Sequence, residues 1–226
     1  MSFASASKKQ EDVKQGGSNY VSGSGIYPIT VLAPVVSVSK GGSASVDLFL
    51  DHSGQQQICY GNLRVTNNDG SPNKIGAKIF NQLLIIAGVD EVADPVSAEL
   101  PIGPGGKMKE VDVLEDLADI ECLMRIQMEY SIYNGDIQEK KIIKSFFRTD
   151  KATAEEIVNE EAPGAGYERE LKYVDNVTYK DGLTEETVKQ WIADKRPKGT
   201  GGGSGSKPDK APSFGSKRFG KKDADS

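Results

Sequence analysis

The pair Asn134-Gly135 sits between two long runs of β-patterned residues, and no other stretch restricts the fold as tightly. Both residues tolerate positive φ, which a two-residue hairpin turn matched to strand twist requires. The pair predicts one antiparallel hairpin across residues 117–148. In its outgoing strand Cys122, Met124, Ile126, Met128 and Tyr130 share one face, while Arg125, Gln127, Glu129 and Ser131 share the other. The returning strand mixes Lys140, Lys141, Lys144 and Arg148 with Ile142, Ile143, Phe146 and Phe147. Cations and aromatics on one ribbon suit a polyanion, although lysines also serve as ordinary protection of a strand edge.

Upstream, residues 25–39 are β-branched and bounded by glycines, and Pro28 and Pro34 predict an edge strand or one broken at a bend. Residues 45–51 alternate, with Val46, Leu48 and Leu50 inward and Asp47, Phe49 and Asp51 outward. A third strand over 57–66 turns Cys59, Leu63 and Val65 to the core and Tyr60, Asn62 and Arg64 away from it. Gly61 marks a bulge there, or a close backbone approach. Asn73 predicts the cap of a helix running through Ile75, Ile79, Leu83 and Ile86 and ending near Ala87-Gly88. Residues 90–110 read as a Pro/Gly-rich excursion.

Beyond the hairpin, 152–161 predicts a short acidic helix, broken by the Pro-Gly-Ala-Gly run at 163–166. Residues 168–179 suit either strand or loop, and a capped amphipathic helix from Thr184 presents Val188, Trp191 and Ile192 for docking. The chain thus divides into a flexible N-terminal arm (1–24), a β-rich domain (25–150), an acidic helical appendage (151–196) and a disordered Gly/Ser/Lys-rich tail (197–226).

With 226 residues of which 37% are hydrophobic, the chain supports one sizeable domain with unpacked additions, or two small ones. No apolar run approaches the roughly 20 residues of a membrane span, and the first residues lack a signal-peptide core. Cys59 and Cys122 fall in apolar-patterned strands and read as free thiols in a reducing cytoplasm. The net charge of −5 hides an asymmetry: residues 150–194 carry −7 and residues 197–226 carry +4. A mildly acidic total is compatible with nucleic-acid binding, which depends on local potential.

Catalytic patterns are missing from the sequence. His52 is the single histidine, the cysteines have no C-x-x-C spacing, and Gly103-Pro-Gly-Gly-Lys107 lacks the full phosphate-loop pattern. Asp112, Glu115, Asp116 and Asp119 read as a solvated face rather than a cation site. No cofactor is expected.

Three strands, a helix, a long connection and two more strands predict a mainly β fold with α additions: a five-stranded OB-type barrel with a helix after the third strand. The sequence resembles phage-encoded single-stranded-DNA-binding proteins of the OB-fold kind. The resemblance rests on Gly25-Ile-Tyr-Pro-Ile, on Tyr60-Gly-Asn-Leu-Arg-Val-Thr-Asn-Asn-Asp-Gly70, on the helix ending Leu-Ile-Ile-Ala-Gly88, and on Val113-Leu-Glu-Asp-Leu. It covers residues 25–150, and the motifs are a pattern rather than a diagnostic signature. Bacterial proteins of the same function end in an acidic tail with a terminal Phe. This chain ends Lys221-Lys-Asp-Ala-Asp-Ser226, so tail-mediated recruitment is not expected to carry over.

The resemblance implies sequence-tolerant, non-catalytic binding of single-stranded DNA in the host cytoplasm, during phage replication or recombination. Bases would stack on Tyr60, Tyr133 and Phe146, with Phe49 the weakest candidate between its two aspartates. Phosphates would be held by Arg64, Arg125, Lys140, Lys144, Arg148, Lys107 and Lys109. One of Phe146 and Phe147 is expected in the core. The acidic segment is either a solvated appendage or a dock for a basic replication or recombination protein. The tail, with Phe214 and Phe219, suits either phosphate contacts or an acidic protein partner. The competing class is a β-barrel structural or adaptor protein, of the virion or scaffold kind, without nucleic-acid binding.

Overall fold

The strand β1 (Gly25–Val38) is the spine of a computed structural model that describes residues 19–195. Expectations for 1–18 and 196–226, including the tail charges, Phe214 and Phe219, lie outside the described residues, as do the side chains of Gly61 and Asn62. One edge of β1 pairs with β2 (Ala44–His52), which pairs in turn with β3 (Gln55–Arg64). The other edge takes β6 (Ile120–Tyr133) along Gly25–Val31, then β5 (Lys109–Val113) at Val35 and Val36. β4 (Val96–Leu100) pairs with β5, and β7 (Asp136–Phe147) with β6. A short β8 (Val177–Tyr179) runs parallel to β6. The result is a mainly β protein built on one eight-stranded sheet curled into a half-barrel.

β1 is therefore central, not the edge strand expected from its prolines. Pro28 lies opposite Leu123 of β6, and Pro34 opposite Leu48 of β2 with its carbonyl accepting from Leu114 N–H at 3.1 Å, so the ladder continues around both prolines. A bulge between Val31 and Ala33 supplies the bend.

The hairpin forms as the Asn134-Gly135 pair requires, with φ of 52° and 85° and Tyr133 paired to Asp136. Its inward face, Cys122 through Tyr130, lies in the main core with Val46, Leu48, Leu50, Cys59 and Leu63. Farther along, Arg125 pairs with Ser145 and Ile126 with Ile143, leaving Lys144 as the extra residue of a bulge. The bulge resolves an apparent conflict. Ile143 and Phe146 are three apart and would face opposite ways in a regular strand, yet both enter the core. Phe147 takes the outer face, where Tyr167 covers it edge-on at 5.2 Å.

Helix α1 (Gly76–Ala87) begins and ends as its sequence dictates. The Asn73 side-chain oxygen accepts from the Ile75 and Gly76 N–H groups at 3.2 and 3.0 Å, and Gly88 closes the helix at φ 69°. Ile79 and Leu83 dock on the core, while Ile75 is 74% exposed rather than packed. Gly76 permits a close approach: a Cβ there would lie 2.0 Å from the Arg64 carbonyl oxygen.

Three expectations are corrected by packing. Residues 90–110 are not an irregular excursion; most of them form the β4–β5 hairpin, turned by a single 3-10 turn at Pro104–Gly106. That hairpin covers Phe49, which joins Ala33, Val35, Leu100 and Val113 in a second core instead of facing solvent. Residues 19–24 of the expected arm are anchored. Val21 is fully buried, its N–H donates to the Gln57 side chain at 3.0 Å, and Ser24 Oγ accepts from Met128 N–H at 3.0 Å.

The acidic segment contributes α2 (Ala154–Val158), α3 (Ala165–Leu171) and α4 (Glu185–Lys195). Thr153 and Glu156 form a reciprocal capping box on α2, and Glu156 also accepts from Gly166 N–H at 2.7 Å, tying α2 to α3. These amide donors, Thr153 N–H foremost, hold the Glu156 carboxyl down at about 2. α4 docks through Val188, Trp191 and Ile192, with Trp191 edge-on to Tyr130 at 6.2 Å. Among the described residues no helix is long and apolar enough to cross a membrane.

Candidate functional site

Among the described residues β3 and β7 each pair on one side only, and they come together across a groove of about 510 Å³ whose end is closed by the start of α1. Tyr60 and Arg64 enter from β3, Lys140 and Lys141 from β7, and Asn73 from the turn before α1. Ile142, Ile143 and Ile79 form an apolar wall. Tyr60 is 62% exposed on the outer face of β3, where the strand carries three residues, Tyr60 to Asn62, opposite the single Asp47 of β2. The two extra residues leave the alternation of β3 unchanged, so Cys59 and Leu63 both stay in the core and the tyrosine lies outside it.

The groove holds both signs of charge, but they are not equally free. Glu129 is paired with Lys180 at 2.8 Å. Asp47 stands on the β2 side, and Lys141 and Asp47 are both felt by the buried Cys59 beneath them. Burial pushes the Cys59 thiol up to about 11, Lys141 opposing the rise and Asp47 adding to it. Cys122, buried in the same core, is pushed up to about 12 by desolvation. Both thiols are protonated, and so poor nucleophiles, at neutral pH. Arg64 and Lys140 are exposed and form no ion pair among the described residues. They are cations still available to a ligand.

The remaining candidates scatter. Tyr133 is 68% exposed at the hairpin tip, at the far end of β7 from Phe147. Lys144 projects from its bulge between the groove and the end of β7. Arg148 is exposed, but its guanidinium is engaged by Asp150 at 3.0 and 2.7 Å, and this bond raises its pKa. Lys107 and Lys109 are exposed at the turn of the β4–β5 hairpin, on a different strand pair from the groove.

Two candidates are removed by burial. Phe146 belongs to the main core and offers no face to a base. Arg125 is equally inaccessible: it forms an ion pair with Glu170 of α3 and donates to the Tyr173 carbonyl at 2.9 Å. Strand alternation placed Arg125 outward correctly, but α3 then covers that part of the outer face. Lys141, Asn73 and the α1 N-terminus belong to the groove and were not in the sequence-derived set, because only the fold joins them to β3.

Among the described residues no group of three or more His, Cys, Asp or Glu side chains is placed to hold a metal ion. His52 is engaged locally, its Nδ1 lying 2.7 Å from the Pro28 carbonyl and its ring against Tyr27. No protein-family model matches the chain, and no curated protein matches it.

Proposed function

We propose that this protein binds single-stranded DNA without catalysing a reaction on it, as phage-encoded OB-fold proteins of replication and recombination do. The observation that carries the reading is the groove itself. Two strands distant in sequence bring an exposed tyrosine and the free cations Arg64 and Lys140 to one apolar-walled channel. That is the combination a single strand requires: a π-face for a base, worth about 1–3 kcal/mol, beside charges for the phosphates. Such a surface tolerates any sequence because every base has a face to stack.

Connectivity supports the barrel part of the reading. The strands β1, β2, β3, β6 and β7, with α1 following β3, have the order of an OB-type barrel, and β4–β5 is an insertion in the long connection. β3 and β7 would then be the seam at which the barrel closes. Carboxylates exposed on α2, α3 and α4 support a second contact, with a basic replication or recombination protein.

The reading is tested by fluorescence anisotropy of an end-labelled oligo-dT titrated with the protein between about 50 and 200 mM salt. Saturable binding is expected, weakening with salt at a logarithmic slope of about −0.7 for each phosphate neutralised. Tyr60→Ala and the Arg64→Ala/Lys140→Ala pair should each weaken binding, with the pair also flattening the slope. Absence of binding to any homopolymer at low salt overturns the proposal and leaves the structural or adaptor class.

A further inference from the structure

A second, larger cleft of about 850 Å³ opens between α1, α2, α3 and the end of β7. We infer that the single strand bound in the β3–β7 groove continues past Lys144 into this cleft, which supplies a second set of base and phosphate contacts. The inference rests on the single-strand reading of the groove.

Continuity is the first argument. The groove is lined by β7 over residues 140–143 and by α1 up to Ile79; the cleft is lined by β7 over 145–147 and by α1 from Lys78 onward. The one residue between the two stretches of β7 is Lys144, the exposed extra residue of the bulge. The bulge thus places an exposed cation, part of neither lining, between the two channels along β7.

Composition is the second. Tyr173 stands in the cleft 52% exposed, as Tyr60 does in the groove, with exposed Lys78 and Lys172 at the rim. Neither lysine forms an ion pair among the described residues. The carboxylates of the cleft are engaged: Glu170 by Arg125, and Glu155 more loosely by Arg169 at 3.9 Å. Ser145, which lines the cleft and is more than nine-tenths buried, has a hydroxyl oxygen without a hydrogen-bond partner. A buried hydroxyl left so is costly unless water or a ligand group meets it.

The test compares a short oligo-dT of about 6 nucleotides, within the site sizes of single OB folds, with one of about 20, beyond them. The proteins are the full chain, its Lys78→Ala/Lys172→Ala variant and its Arg64→Ala/Lys140→Ala variant. Both pairs are exposed, and unchanged melting temperatures verify the fold. The Lys78→Ala/Lys172→Ala variant should bind the long oligonucleotide about tenfold more weakly, with the salt slope reduced by about 1.4, and bind the short one as wild type does. Wild-type affinity for the long oligonucleotide overturns the extended path while losses in the Arg64→Ala/Lys140→Ala variant uphold the groove. Equal losses on both lengths also overturn it, by making the cleft the primary site. If the wild-type protein binds neither length, the groove reading fails first and the extension with it.

Discussion

The two halves of β7 carry similar residues to opposite ends. From Asp136 to Ile143 the strand has an exposed edge, and its lysines line an open groove. From Ser145 to Phe147 every side chain is buried, the inner face in the main core and the outer face under α3. Alternation is the same device in both halves; what differs is the layer outside. Where no described element covers the outer face, charge stays available for a ligand. Where α3 covers it, a cross-strand arginine becomes part of the packing.

The contrast can be broken from the buried side first. Phe146→Ala should lower unfolding free energy in urea by about 3–5 kcal/mol, the usual range for a deleted core aromatic. Glu170→Ala should cost somewhat less, about 3 kcal/mol, by leaving the Arg125 guanidinium buried without its counter-charge. Arg125→Met, which removes the charge with the need for a partner, should be far milder. A Glu170→Ala protein as stable as wild type would show that Arg125 reaches water and is not part of the packing under α3.

Smaller effects sharpen the comparison. Thr153→Ala removes the α2 cap and should cost about 1 kcal/mol. The sign of the Glu156 contribution follows from its lowered pKa. Its stabilisation is fully present above the unfolded value of 4.5 and is lost as pH falls toward about 2. In wild type, stability should therefore decline across that acid window, and Glu156→Gln should flatten the decline. On the open half, Lys140→Ala should leave stability within about 0.5 kcal/mol of wild type while weakening oligo-dT binding. A thiol reagent should label neither Cys59 nor Cys122 in the native protein and both after unfolding.

Local chemistry was readable wherever one short stretch sufficed. Asn134-Gly135 specifies its hairpin, Asn73 and Gly88 bracket α1, and alternation placed Cys122 through Tyr130 inward. The failures come from contacts at long sequence separation. Nothing near Phe49 announces the β4–β5 hairpin that covers it, and nothing near Arg125 announces Glu170, 45 residues on. Val21 is a lone apolar residue among polar ones, and its burial depends on a pocket built by other strands. Bulges were a further limit, since a single inserted residue at Lys144 reassigns the faces of Phe146 and Phe147. Of the candidate site, Tyr60, Arg64 and Lys140 were named from sequence, but their convergence is a property of the curled sheet.

The central claim is that the groove between β3 and β7 is where a single strand binds. Amide hydrogen exchange with and without saturating oligo-dT tests it most directly. Added protection should appear in β3 from Ile58 to Arg64 and in β7 from Lys140 to Lys144, with the Lys107–Lys109 turn unchanged. Protection confined to the β4–β5 hairpin, or no protection in β3 and β7 under conditions where the oligonucleotide is bound, would contradict it.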